Sequence, residues 1–330
     1  TIREKSLGNF GDLLKAVSQS PAMLQFLNNQ QNKKGHPNEN FAREVMELFT
    51  LGRGNYTEKD VQEGARAFTG WSFLPDGSFF ERPRQHDFGP KTFLGKTGNF
   101  DGNDALNIIL EQKGTAKFIV TKIYKFFVNE KINPGIIEHL SDQFYDSKYD
   151  IKKLMTEIFT SKWFYNEENI GAKIKSPIEL MAGIMRTLPM ELEKPENLIV
   201  YQKLLGQMLL YPPNVAGWPS GNSWIDSSTL MLRLQIPQIW SGLRPLELEA
   251  KTDDDVEMGL KNNQMRNKGF KNPNIIIDWN LVESTFKNKS ISDYLLQTKS
   301  SNEKIIDQFS DSSLKLKIIN VMSTPEFQLC

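Results

Sequence analysis

Residues 35–52 read GHPNENFAREVMELFTLG. Turned through about 100° per residue, positions 39–51 put Phe41, Ala42, Val45, Met46, Leu48 and Phe49 on one side. Asn40, Arg43, Glu44 and Glu47 fall on the other. A stripe of this kind marks a helix that buries one face and wets the other, and Gly52 closes it. The same period continues outward. Upstream, Leu13, Leu14, Val17 and then Met23, Leu24, Leu27 recur at spacings of three and four, while polar residues 30–38, with Gly35 and Pro37, read as a loop. Downstream, Thr57 with Asp60 three positions later resembles a capping box with Asp in place of Glu, opening a helix to about residue 70.

Further helices are expected over 105–112, 115–129, 134–147, 151–160, 176–187 and 197–209, and from 227 toward 234, capped by Asp226 or Ser227. Two stretches break the pattern. Residues 71–104 are rich in Gly, Pro, Asp and aromatics, with short candidate strands at 78–81 and 92–94. Residues 211–226 set Pro212, Pro213, Gly217, Pro219 and Gly221 around Trp218 and Trp224. Long irregular segments in a folded domain are uncommon unless they are functional. The expectation is a mainly α, multi-helical globular domain with two long irregular loops and at most a small β-hairpin. A helical core would span 1–245, a charged linker or mobile loop 246–274, and a helical segment packing on the core 275–330.

Composition narrows the class. With 39% apolar and 24% charged residues among 330, the chain has the make-up of a soluble globular protein. No run approaches the roughly 20 apolar residues that cross a bilayer. Forty basic side chains balance forty acidic ones, so net charge steers the protein toward neither nucleic acid nor an anionic membrane. The single cysteine, Cys330, excludes an intrachain disulfide and a cysteine-built zinc site. The chain opens Thr1-Ile2-Arg3 with neither a basic nor an apolar leader, so a signal peptide is expected to be absent or removed, and N-terminal sequence to be missing.

Read whole, residues 35–52 resemble the signature of the bacterial family known as domain of unknown function 1800. Residues 56–71, the run His86-Asp87-Phe88-Gly89-Pro90-Lys91, the phrase at 205–207 leading into 212–219, and the ending at 325–330 resemble it as well. The resemblance implies an exported, secreted or periplasmic protein. It also implies a partner from the neighbouring family, domain of unknown function 1501, which is similar to phosphatases and sulfatases. It carries no activity with it.

Three constellations could carry chemistry. On the acidic helix face, Asn40, Glu44 and Glu47 stand at i, i+4 and i+7 and point the same way. With His36, His86, Asp87 and Lys91 they could form an acid–base pair or a site for a divalent metal, the ligands being His36, Glu44, Glu47 and His86. The alternative is structural: an Arg43–Glu47 pair on a solvated face, or Glu44, Glu47 and Glu63 set against Arg43 and Arg66 to tie two helices. The spacing matches neither the Glu-x-x-His of di-iron bundles nor His-Glu-x-x-His. Second, His86, Asp87 and Lys91 could hold an anion or supply a base, or Asp87 could cap backbone amides in a loop anchor. Third, Trp218 and Trp224, with Asn214, could contact a partner or sugar, or plug the loop into the core. No nucleophile elbow is present, and His139 reads as a packed or surface histidine. Two functions remain open. One is a hydrolase using Glu44, Glu47, His86, Asp87 and Lys91, with Arg43 and Arg66 orienting the substrate. The other is a non-catalytic binding or assembly module at the cell envelope.

Overall fold

Side-chain caps open many of the helices of the computed structural model, which describes residues 1–246, 274–297, 309 and 312–330. Asn9 caps Phe10–Ser18, Asp101 and Asp104 form a reciprocal box on Gly102–Leu110, and Ser176 with Glu179 does the same on Pro177–Thr187. The Thr57/Asp60 box is present and opens Glu58–Ala67. The mainly α class holds. Among the described residues, strands form three two-stranded antiparallel sheets, where a single hairpin was expected.

The chain divides into two compact units, Thr1–Asn166 and Glu167–Cys330. That division does not fall at residue 245, the boundary expected from sequence, and the expected linker lies outside the described residues apart from its ends at 246 and 274. In the first unit, Leu24, Leu27, Phe41, Met46, Val61, Phe68 and Trp71 are fully buried. Phe41 meets Phe68 edge-on at 5.0 Å, and Phe68 meets Trp71 at 5.1 Å. A neighbouring core joins Lys113–Phe127, Pro134–Asp146 and Ile151–Thr160 through Val120, Tyr124, Leu140, Phe144 and Ile158. Burying each such side chain is worth about 1.5–3 kcal/mol before entropy is counted.

The irregular stretch 71–104 resolves into two hairpins. Strands β1 (Trp71–Phe73) and β2 (Phe79–Glu81) pair with Trp71 opposite Glu81; β3 (Lys91–Phe93) and β4 (Lys96–Gly98) pair with Phe93 opposite Lys96. The second turn is Leu94-Gly95, with φ of +46° and +81°. Two successive positive φ angles suit the right-handed twist of a hairpin. Leucine rarely adopts one, and here its amide is held by Asp60 Oδ1 at 2.8 Å.

In the second unit the core gathers Leu180, Ile184, Tyr201, Ile236, Trp240, Ile318 and Met322. The helix expected to reach residue 209 stops at Leu204, because the chain turns through Gly206 at φ +82° and the Gln207 amide bonds the Gln202 carbonyl. The helix after Asp226 runs further than expected, over Ser227–Trp240, and passes through Pro237. Fully buried Arg233 clamps the C-terminal segment. Its guanidinium donates to Gln328 Oε1 at 3.1 Å and to the Lys175 carbonyl, while the Lys175 ammonium donates to the Phe327 carbonyl at 2.6 Å. Burial lowers Lys175 to about 8 and Arg233 to about 10. The ending at 325–330 is thus held by side chains from elsewhere in its unit. No helix among the described residues is long and apolar enough to cross a membrane.

Candidate functional site

The helix expected over 39–51 is two structures in series. Asn40–Glu44 is α-helical, whereas Val45–Thr50 is π-helical. The Leu51 amide reaches back five residues to the Met46 carbonyl at 2.8 Å, the Gly52 amide shares that carbonyl at 3.0 Å, and Thr50 Oγ1 donates to the Val45 carbonyl at 2.6 Å. From the helix Lys113–Phe127, Lys122 donates to the Leu48 carbonyl at 2.8 Å. π-Turns of this length are uncommon and recur at functional sites.

This change of winding alters the acidic face. In a continuous α-helix, positions three apart sit about 60° from one another around the axis. A π turn needs more residues per revolution, so each advances less and Glu47 swings further from Glu44. Glu47 moves to a different set of partners. Arg53 donates to its Oε1 through Nε at 3.0 Å and through the terminal nitrogen at 2.8 Å, and the Tyr56 hydroxyl donates to Oε2 at 2.6 Å. The bond from Tyr56, followed by those from Arg53, holds the Glu47 carboxyl below the ordinary glutamate range. Burial, followed by the hydrogen bond to Glu47, raises Tyr56 to about 12. Glu44 makes no hydrogen bond or ion pair among the described residues. Burial, and then the Glu47 charge, pushes its carboxyl up. Neither Tyr56 nor Arg53 was singled out from sequence, because both lie beyond the helix and only the turn after Gly52 brings them back.

The remaining residues of this face are occupied. Asn40 Nδ2 donates to the Leu27 carbonyl at 3.1 Å. Arg43 does not pair with Glu47. It grips Glu58 with both terminal nitrogens at 2.7 Å and Glu39 at 3.1 Å, tying its helix to Glu58–Ala67. That corrects the expected Arg43–Glu47 pair and the network of Glu44 and Glu47 with Arg43 and Arg66. Two helices are indeed joined by a guanidinium, but through Glu58.

The second constellation is a staple between Glu58–Ala67 and the second hairpin with the loop before it. Arg66 donates to Asp87 Oδ2 at 2.8 Å and to Glu63 at 2.9 and 3.1 Å. Glu63 Oε2 in turn accepts from the Thr92 amide at 2.9 Å, and Asp87 Oδ1 accepts from the Gly89 amide at 2.8 Å. The Arg66 guanidinium holds Asp87 down near 2. Lys91, 1% exposed, turns its ammonium onto the Asp87 and Gly89 carbonyls, and burial lowers its pKa. His86 is buried with Nδ1 2.8 Å from the Thr69 carbonyl, a contact that requires a proton on Nδ1. Its ring stands edge-on to Phe88 at 4.7 Å. The Asp87 amide donates to Thr69 Oγ1 at 2.8 Å. His86 and Asp87 thus diverge, one to the Thr69 backbone and the other to Arg66, and both fasten the loop.

His36 is exposed in a turn whose Lys34 amide bonds the Gln85 carbonyl at 2.7 Å. His36, Glu44, Glu47 and His86 form no ligand set. Among the described residues, no three His, Cys, Asp or Glu side chains are grouped to hold a metal ion. The physical reason is that Glu47 and His86 are already bonded within the protein, in different places.

In the third constellation Trp224 is buried at 6% exposure, Trp218 is half-buried, and Asn214 turns its carbonyl oxygen onto the Ala216 amide at 2.9 Å. The exposed apolar residues of this region are Leu209, Leu210 and Tyr211, with Leu210 94% exposed at φ +62°. Clefts of about 750 Å³, beside Asp146, Asp150 and Glu157, and about 580 Å³, beside Glu191 and Trp240, open elsewhere. Neither is lined by residues singled out from the sequence. His139 is exposed beside Gln143 and Glu157.

Fold and site together define a mainly helical protein of two units, the first carrying a π-turn with Glu47 and a hairpin stapled to Glu58–Ala67. The chain belongs to the family described as protein of unknown function DUF1800, whose model matches residues 1–329. No curated protein and no solved structure matches it.

Proposed function

We propose that the first unit carries an acid–base site of a hydrolase, with Glu44 as the proton donor and Glu47 as the ionised base. One observation carries this reading: two carboxyl groups three positions apart are displaced in opposite directions, Glu44 upward and Glu47 downward. Pairs of titratable groups pushed apart by their surroundings mark acid and base roles. Among the described residues Glu44 has no hydrogen-bond partner, so its proton is available to a leaving group. Glu47, ionised and fixed by Tyr56 and Arg53, is placed to orient or deprotonate water. This chemistry needs no metal. Export to the envelope belongs to the same proposal and rests on family resemblance.

Hydrolysis should require Glu44 protonated and Glu47 ionised. Its rate should fall as pH rises through the raised Glu44 pKa and fall again as pH drops through the lowered Glu47 pKa. Turnover of a panel of chromogenic esters, glycosides and phosphate esters, followed with pH, tests this. Glu44→Gln should remove the alkaline limb and about 10²–10⁴-fold of the rate. A Glu44→Gln protein as active as the parent on every substrate it cleaves would sink the reading.

A second reading, an assembly module docking a phosphatase- or sulfatase-like partner, is favoured by Leu209, Leu210 and Tyr211. Gln202 Oε1 holds the Leu209 amide at 2.9 Å, so the apolar tip is presented by a pinned turn. Binding of such a partner that survives Leu210→Ser and Tyr211→Ser would remove that reading.

A further inference from the structure

Lys122 lies 74 positions from the Leu48 carbonyl it bonds. The π-helix sends the Leu51 and Gly52 amides to Met46, and the Lys122 ammonium is the donor the structure gives to Leu48. Its position is built from several sides. The ammonium also lies over the Phe118 ring, 4.7 Å from the centroid. Phe118 in turn packs on Gly52, where an added Cβ would come within 2.7 Å of the ring, and where φ is +80°. Lys122 and Phe118 sit four apart on one helix face, so a single face supplies both the ring that seats the Gly52 turn and the cation that occupies the Leu48 carbonyl. Arg53 and Tyr56, the two residues that hold Glu47, follow directly after that turn.

We infer that Lys122 is the positioning residue of the carboxylate pair, holding residues 45–50 in the π-turn that swings Glu47 away from Glu44 and onto Tyr56 and Arg53. The inference rests on the acid–base reading for its functional meaning, but the structural coupling stands by itself. Without the ammonium, the Leu48 carbonyl loses its donor and the turn relaxes toward α-helical winding. Glu47 then closes on Glu44 and loosens its hold on Tyr56. Lys122 touches neither carboxylate in this scheme and acts only through the backbone.

The test is an NMR titration of the Glu44 and Glu47 carboxyl carbons, with amide hydrogen exchange at Leu51 and Gly52, in the full chain and in Lys122→Met and Lys122→Arg. In Lys122→Met the Glu47 midpoint should rise toward the ordinary glutamate range, and the two amides should exchange about tenfold faster. Lys122→Arg, which keeps a cationic donor, should restore both. Phe118→Leu, which removes the ring but not the ammonium, should give a smaller shift in the same direction, and it serves if Lys122→Met does not fold. An unchanged Glu47 midpoint and unchanged exchange in folded Lys122→Met, or in Phe118→Leu, would overturn the inference. If Glu47 moves as expected while Glu44→Gln leaves hydrolysis untouched, the positioning role holds and the hydrolase reading fails.

Discussion

At the scale of single residues, the two carboxylates of the acidic face show how little of a side chain's chemistry lies in its identity. Glu44 and Glu47 share a helix and a residue type, yet one lacks a partner and the other accepts three hydrogen bonds. Tyr56 supplies the first of the effects that lower Glu47. Tyr56→Phe removes that donor and leaves the ring, so the Glu47 midpoint should move up toward the ordinary range. Loss of this charge-assisted bond should cost about 1–2 kcal/mol. Carboxyl NMR and denaturant unfolding of the same protein read both numbers. A Glu47 midpoint unmoved in Tyr56→Phe would mean that Arg53 alone sets it. The sequence showed the carboxylates and their spacing. It did not show Tyr56 as a partner, because hydrogen bonding across a turn depends on φ and ψ at Gly52 to Asn55 and not on periodicity.

At the scale of elements, the segment 39–51 was legible as an amphipathic helix because its apolar stripe is wide enough to survive a change of winding. Phe41, Ala42, Val45 and Met46 are all buried as read. The π-turn was not legible: it is set by Lys122, Phe118 and Gly52, which no local pattern connects. Gly52 is the element's most constrained point. Gly52→Ala would place a Cβ against Phe118 in a left-handed backbone, and both effects oppose it. We expect a loss of about 2–4 kcal/mol, with faster exchange at residues 45–52. A variant as stable as the parent in urea would show that the turn can rewind without cost. The hairpins tell a similar story. Asp60 reads from sequence as a capping partner of Thr57, and Glu63 and Arg66 as the polar side of the helix it opens. Each in fact meets the second hairpin or the loop before it, at Leu94, Thr92 and Asp87.

At the scale of the molecule, the two units carry pH signatures of the same sign in different windows. Asp87 is depressed from the ordinary aspartate range to about 2 by Arg66, so the native first unit binds fewer protons than its unfolded chain. The stability this contributes is fully present above about pH 4 and is lost as pH falls toward 2. Asp87→Asn should destabilise that unit by about 1–3 kcal/mol near neutrality and flatten this acid limb. In the second unit, burial lowers Lys175 to about 8. Here the native state disfavours the charge, yet it again binds fewer protons than the unfolded chain, so stability from this group also rises with pH, from about 8 to the unperturbed lysine value. Hydrogen exchange followed with pH, read separately for residues 1–166 and 167–330, checks both limbs. An acid limb that survives in Asp87→Asn would assign it to other carboxylates.

What the sequence by itself determined was the helical class, the capping residues, and the polar or apolar sense of each face. These follow from periods of three to four residues and from side chains bonding their own neighbours, and such interactions close within a few positions. Only the tertiary structure decided which charges were spent and which were left over. Arg43 bonds Glu58, Arg66 bonds Asp87, Lys91 bonds two backbone carbonyls, and His86 fastens to Thr69, whereas among the described residues Glu44 is left without a hydrogen-bond partner. The physical reason is range. A helix face is determined within one turn, whereas the partner of a charge is chosen by whatever folding brings within about 3 Å of it, from anywhere along the chain.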